Sequence, residues 1–183
     1  MPIVYQTNPT DPEYRDSVAD LWRRWYGSSG ESADVIRRSV DTMCNLGAKY
    51  WLPQLVVAVD DYDDVVGTGA VTSVDTVYGK PLYPVVTQLY VDSECRGRGI
   101  ARSIVLRLAK YIFDNEWHEH PVAPVDHIYL CTDVSDFYEK LGFRRLKTDF
   151  AYWALRIGHP DEPYVYHLTR STYESMKSGD VPK

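Results

Sequence analysis

The stretch Leu89-Tyr90-Val91-Asp92-Ser93-Glu94-Cys95-Arg96-Gly97-Arg98-Gly99-Ile100-Ala101 reads as a strand, a tight basic glycine turn and the opening of an amphipathic helix. Beyond Gly99, apolar residues recur at Ile100, Ile104, Leu108 and Ile112, with Val105 and Tyr111 beside them, which is helical spacing. A helix N-terminus offers unpaired backbone N–H groups and a partial positive charge, so it attracts anions. Glycine at 97 and 99 lets the backbone take positive φ and come close to a ligand. Arg96 and Arg98 put full positive charge where a pyrophosphate would sit, and Arg102 follows as a further cation. The pattern predicts a phosphate-bearing ligand; a structural turn with solvated arginines fits the same residues.

Two other nucleotide sites are excluded. The sequence contains no G-x-x-x-x-G-K-S/T, hence no P-loop. The turn lacks the third glycine of a dinucleotide fingerprint, and no acidic residue closes a βαβ unit at the expected distance. About a helix length downstream, His127-Ile128-Tyr129-Leu130-Cys131-Thr132 has strand composition. It is followed by Asp133-Val134-Ser135-Asp136-Phe137-Tyr138-Glu139-Lys140-Leu141-Gly142-Phe143. Here Ser135 or Asp133 is expected to cap a short helix over 135–141, and Gly142 to end it in the left-handed conformation.

With both segments in view the chain resembles the GNAT superfamily of N-acetyltransferases. Arg96-Gly97-Arg98-Gly99-Ile100-Ala101 matches that family's acetyl-CoA signature, Q/R-x-x-G-x-G/A, and Phe137-Tyr138-Glu139-Lys140-Leu141-Gly142-Phe143 is similar to its F-Y-x-x-x-G-F helix. Either motif alone is common, whereas the pair in this order and separation is specific. The resemblance spans about residues 2–170. It implies an α/β (α+β) fold, a mixed and mostly antiparallel sheet flanked by helices in the order β-α-α-β-β-β-α-β-α-β-β. It also implies acetyl-CoA as co-substrate, and acetyl transfer to a primary amine by direct attack in a ternary complex. A homodimer is compatible with it.

Length and composition agree with such a domain. At 183 residues, 1–170 can build one core, with 171–183 expected as a polar, frayed C-terminal tail. No stretch has the apolar length of a membrane span, and Met1-Pro2-Ile3-Val4-Tyr5 begins a strand rather than a signal peptide. Three cysteines without C-x-x-C spacing (Cys44, Cys95, Cys131) read as cytoplasmic free thiols, not as disulfides or a metal site. A net charge of −6 with one Arg-rich turn argues against a nucleic-acid partner and is compatible with a cationic amine acceptor.

Helices are expected over 11–26, with Val18, Leu21, Trp22 and Trp25 inward, and over 32–46, with Ile36, Val40 and Met43 inward. Ser28-Ser29-Gly30 breaks the chain between them. Strands are expected at 2–6, 55–59, 65–74, 85–91, 127–132, 150–156 and 164–169, with a hairpin turn at Asp60-Asp61-Tyr62-Asp63-Asp64 and a loop at Tyr78-Gly79-Lys80-Pro81. Asn115 to Pro124 reads as a polar loop, and a second loop runs over 158–163.

Transfer to an amine needs a held thioester, a neutral amine, a donor to the carbonyl oxygen and a proton for the departing thiolate. In the family the strand before the glycine turn splays from its neighbour. The resemblance therefore implies that Leu89-Tyr90-Val91 meets the pantetheine arm, with the Leu89 or Tyr90 N–H polarising the carbonyl. The pyrophosphate would lie on the amides of Arg96 to Ala101, with Arg102 nearby. Tyr138 falls where the family's tyrosine protonates the thiolate; a phenol pKa of about 10 against a thiol of about 8.5 makes that transfer nearly balanced. Phe137 reads as core.

Two departures from the family pattern stand out. Relatives carry a Glu or His on the strand before the turn, where this chain has Val85 and Thr87. Tyr83 or Asp75 acting through a water, or no base at all, are the alternatives; His118, His120 and His159 read as solvated loop residues. The Asn that in relatives contacts CoA early in the tyrosine helix is absent, with Thr132 or Ser135 in its region. Trp51, Tyr152, Trp153, Asp161 and Glu162 lie where relatives recognise acceptors. Loss of the strand carboxylate leaves a rival, a non-catalytic acyl-CoA-binding or interaction domain of the same fold. A transferase using another acyl-CoA or a hydroxyl acceptor is a further one.

Overall fold

The computed structural model describes residues 2–26, 32–73, 75–77, 80–114, 125–132, 134, 136–146 and 164–178. Several expectations lie outside them: the break at 28–30, the loop residues Tyr78 and Gly79, the caps Asp133 and Ser135, the loop with His118 and His120, and everything expected over 147–163. In chain order the elements are β1 (Val4–Thr7), α1 (Pro12–Tyr26), α2 (Ala33–Gly47), β2 (Gln54–Val59), β3 (Val65–Thr72), β4 (Asp75–Val77) and β5 (Lys80–Leu82). They continue as β6 (Val85–Val91), α3 (Ile100–Asp114), β7 (His127–Thr132), β8 (Arg144–Arg145), β9 (Tyr164–Thr169) and α4 (Arg170–Ser178). Seven strands form one sheet in the order β1-β2-β3-β6-β7-β9-β8, and β4 and β5 form a separate hairpin. Only β6 and β7 pair in parallel among the recorded pairings, so the sheet is mixed and mostly antiparallel, as expected.

The described chain divides into two compact units, one of residues 1–71 with 88–108 and one of 72–87 with 109–183. In the first, β1, β2 and β3 pair antiparallel in sequence order. Pro12 opens α1 behind Asp11, whose carboxylate accepts the Glu13 N–H, and Ser32 caps α2 through the Val35 N–H. Val18, Leu21 and Trp22 of α1 and Ile36, Val40 and Cys44 of α2 pack on Leu55, Val57, Val59, Val65 and Ala70 of the sheet. Met43 is only partly buried there, and Cys44 on the same helix takes the fully buried place. Burial pushes the Cys44 thiol pKa up, so it stays protonated and inert.

Every residue of β2 is buried because both faces of the sheet are covered. The second covering is α3, and glycine lets it sit close. A Cβ on Gly69 would lie 2.5 Å from Ile104 Cγ2, and one on Gly67 would lie 3.1 Å from Ile100 Cγ2. These two glycines therefore fix the height of α3 above β3.

In the second unit β7 pairs with β9 over six residues, from His127 opposite Thr169 to Thr132 opposite Tyr164, and β8 pairs with β9 at its free side. Val85 opposite Tyr129 gives the parallel pairing to β7. Four expectations need correction. Strand β3 ends at Thr72, before Ser73, and Lys80 and Pro81, expected in a loop, belong to strand β5 of the β4–β5 hairpin. The expected helix over 135–141 is, where described, a turn leading into one 3₁₀ turn at Glu139–Leu141, too short a segment for an α-helical ladder. Residues 171–178 of the expected tail belong to α4, because Thr169 Oγ1 accepts the Thr172 N–H and Tyr173 buries its ring against Phe113, centroids 5.3 Å apart. Tyr173 and Lys177 also bond both oxygens of the Asp114 carboxylate.

Gly69→Ala is expected to lower unfolding free energy by about 1–3 kcal/mol, because Ile104 is β-branched and cannot swing its methyl aside. Urea unfolding followed by tryptophan fluorescence measures this; an unchanged midpoint would show that α3 is free to lift.

Candidate active site

The end of β6, the glycine turn and the start of α3 all lie in the first unit. The Asp92 N–H donates to Val66 O of β3 at 2.9 Å, tying the strand end to the sheet. The Asp92 carboxylate then organises the turn, accepting the Glu94 N–H at 3.1 Å through one oxygen and pairing with Arg24 of α1 at 3.0 Å through the other. A 3₁₀ turn follows at Ser93–Cys95, closed by the Cys95 N–H to Asp92 O.

Gly97 and Gly99 both adopt left-handed backbone, with φ of +75° and +76°. A Cβ built on either would meet nothing within 4 Å. Glycine is thus required here by conformation, and its lack of a side chain leaves the turn's backbone bare on its open side. Helical hydrogen bonding begins with Ser103 N–H to Gly99 O, so the amides of Ile100, Ala101 and Arg102 precede the ladder. Ile100, buried beside Gly67, pins this helix start. The bare glycine backbone and the first-turn amides suit a pyrophosphate.

Arg96 makes two contacts back onto β6. Its Nε donates to Val91 O at 3.0 Å, and its guanidinium lies 5.6 Å from the centre of the Tyr90 ring. It folds back on β6 and braces the turn. Trp25 also stacks on Tyr90, at 5.4 Å and 21°, and is 39% exposed. The helical spacing of Trp22 and Trp25 suggested that both belong to the core; only Trp22 does, because Trp25 lies at the end of α1 where that helix reaches the strand tip. Arg98 approaches Cys95 Sγ at 3.9 Å, and Cys95 is half-buried.

Inside β6 the alternation of buried and exposed residues fails over Thr87 to Tyr90, all half-buried. Gln88 has φ of +55°, a left-handed residue within the strand. Its carbonyl accepts a bond from Thr68 Oγ1 at 3.0 Å, and Thr68 Oγ1 accepts from the Trp22 indole N–H at 3.0 Å. Nothing in the sequence reading pointed to this chain, since Thr and Gln are ordinary strand residues and the indole partner is 46 positions away. Thr87 Oγ1 is buried with no hydrogen-bond partner among the described residues. Val85 is buried, and the half-buried Tyr83 has its phenol pKa raised by burial, which makes it a poor base at neutral pH. Asp75 opens β4.

Tyr138 lies in the second unit, immediately before the 3₁₀ turn. Its carbonyl accepts the N–H groups of Leu141 and Phe143, both at 3.0 Å. Its ring meets the edges of Phe137 and Phe143 at 4.9 and 5.9 Å and tilts on Tyr166 at 5.7 Å. Phe143 is buried, whereas Phe137 is only half-buried. Tyr166 donates to Glu139 Oε1 at 2.7 Å; burial first, then that carboxylate, push its phenol up to about 12, so it stays a donor. Tyr166 escaped the sequence reading because its β9 position was legible but its neighbour in space was not. Gly142 has φ of +89°, as expected, and a Cβ there would lie 2.7 Å from Met176 Sδ of α4. Thr132 is engaged locally, accepting the Val134 N–H. Among the described residues no cluster of three metal-ligating side chains occurs, and no helix is long and apolar enough to cross a membrane.

This sheet, with a glycine turn feeding the helix after β6, is the fold of acetyltransferases of the GNAT family. The profile of the acetyltransferase (GNAT) domain matches residues 51–145, more than half of the chain, and the chain belongs to that family. No curated protein matches the sequence. Solved structures of similar fold include a chain of the NatC complex bound to Gag peptide and CoA, 23% identical, with TM-score 0.61 over 92% of this chain and 99% of that one. A spermidine N-acetyltransferase chimera from Vibrio cholerae SpeG and hSSAT is 15% identical, with TM-score 0.63 over 93% and 98%. The GNAT family N-acetyltransferase YhbS of Escherichia coli, in complex with CoA, is 21% identical, with TM-score 0.56 over 92% and 81%.

Gly97→Ala, placing a Cβ in left-handed backbone without a clash, is expected to cost about 1–2 kcal/mol. A thermal melt of the variant measures it; a loss several times larger would mean that the turn is crowded rather than open.

Proposed function

We propose that this protein is an acetyl-CoA-dependent N-acetyltransferase that acts on a primary amine by direct attack in a ternary complex. The observation that carries the reading is the glycine turn: two left-handed glycines with bare surroundings directly before the unladdered amides of α3. Family membership and the CoA bound to NatC and to the E. coli neighbour support acetyl-CoA as the donor. Bound there, acetyl-CoA supplies an activated thioester carbonyl. The amides of Arg96 to Ala101 hold its pyrophosphate, and Arg98 and Arg102 add charge. Arg96 serves chiefly by bracing the turn against Tyr90 and Val91.

At Leu89-Tyr90-Val91 the strand meets the pantetheine arm, and the Leu89 or Tyr90 N–H donates to the carbonyl oxygen as it gains charge. The amine nitrogen bonds to the carbonyl carbon, the C–S bond breaks, and the nitrogen loses one proton. Tyr138 gives its phenolic proton to the thiolate. Val85 and Thr87 offer no base, so an ammonium acceptor sheds its extra proton to water before attack, and the proton released as the amide forms passes through water to the Tyr138 phenolate. The acceptor is a small-molecule or a peptide amine, the two classes that the spermidine and Gag-peptide neighbours exemplify. The three reduced cysteines support work in the cytoplasm.

Titration calorimetry with acetyl-CoA, followed by thiol release against polyamines, amino acids and peptides, tests the reading. Binding with release on at least one amine is expected; absence of binding would contradict it. Binding without release on any amine would favour the non-catalytic acyl-CoA-binding domain. Gly99→Glu puts a carboxylate beside the pyrophosphate amides and is expected to abolish binding; unchanged affinity would move the phosphates elsewhere. Tyr138→Phe is expected to lower turnover by about two orders of magnitude with CoA affinity kept. Full activity in that variant would remove Tyr138 from the acid role.

A further inference from the structure

Gln88 is the one described residue within a strand of the central sheet that has positive φ. A side chain other than glycine adopts that setting only when its surroundings impose it. Two buried groups hold its carbonyl: the Trp22 indole N–H donates to Thr68 Oγ1, and the Thr68 hydroxyl donates to Gln88 O, each at 3.0 Å. Thr68 is 0% and Trp22 1% exposed. The hydroxyl has one proton, and with the indole N–H already aimed at its oxygen that proton is committed to the Gln88 carbonyl. The bond is therefore directional, and in a dry site it holds its direction firmly.

A peptide group is planar and trans, so the carbonyl of one residue and the N–H of the next point in opposite directions as one rigid unit. Fixing Gln88 O toward Thr68 of β3 consequently aims the Leu89 N–H away from β3. Resting on the function proposed above, we propose that Trp22 and Thr68 are positioning residues whose hydrogen-bonded relay to Gln88 O aims the Leu89 N–H at the thioester carbonyl oxygen. Of the two candidate donors, Leu89 and Tyr90, the relay selects Leu89. It also gives buried residues of α1 and β3, which touch no substrate, control over the charge-stabilising group of the reaction.

Thr68→Val keeps the shape, removes the hydroxyl and releases the Gln88–Leu89 peptide. It is expected to lower kcat by about tenfold to a hundredfold, less than the loss of a whole oxyanion donor, with the Kd for CoA within about twofold of wild type. Thr68→Ser, which retains the hydroxyl, is expected to restore most of kcat, and Trp22→Phe to show a smaller loss than Thr68→Val. A ketone analogue of acetyl-CoA provides a readout free of turnover. In the wild type the Leu89 amide proton is expected to move downfield with the ketone relative to CoA, and in Thr68→Val that difference is expected to vanish. A Thr68→Val protein that melts earlier but keeps kcat makes the bond merely structural and overturns the relay. A wild-type Leu89 resonance that is the same with ketone and CoA overturns it equally, without any variant having to fold. Failure of the wild type to bind acetyl-CoA at all overturns the transferase reading itself, a result distinct from both.

Discussion

The close approach of α3 to β3 is the constraint on which the site depends. Gly67 and Gly69 present bare backbone to Ile100 and Ile104, so the helix packs closer than a Cβ at 69 would allow, and one at 67 would crowd it. Because α3 is rigid, its distance from the sheet fixes where its first turn stands. Its first turn in turn fixes where the amides after Gly99 point. A packing contact between apolar groups thus sets the geometry of a polar site.

The glycine turn is also held from the strand side. Asp92 ties it to β3 through its N–H and to Glu94 and Arg24 through its carboxylate, while Arg96 folds onto Val91 and Tyr90. The exposed Arg24 pair contributes little by itself. Together with the backbone bond to Val66, however, these contacts leave the turn formed before any anion arrives. A preformed set of amides spends less of the binding energy on ordering. The Arg96 guanidinium, packed against Tyr90 and bonded to Val91 O, is part of this bracing.

Much of this was legible in the sequence because it depends on local rules. Periodicity placed α1, α2 and α3, and alternation with apolar composition placed β2, β6, β7 and β9. Glycine at 97, 99 and 142 announced left-handed backbone, which the structure has at all three. What escaped depends on contacts distant in the chain. Gln88 is left-handed because of Thr68 and Trp22, and no property of Gln88 itself announces it. Trp25 follows the same periodicity as Trp22 yet stacks on Tyr90 near the end of β6 and stays 39% exposed. The tail became a helix through Tyr173, whose partners Phe113 and Asp114 are about sixty positions earlier; the capping pattern of Thr169 was its local signal.

The central claim is that the backbone of the glycine turn holds the pyrophosphate of a CoA thioester. Backbone amide resonances followed by NMR while CoA is added address it residue by residue. The account predicts the largest shifts at Gly97, Gly99, Ile100 and Ala101, saturating together with one affinity. Shifts confined to other parts of the chain, with those four amides unmoved, would contradict it.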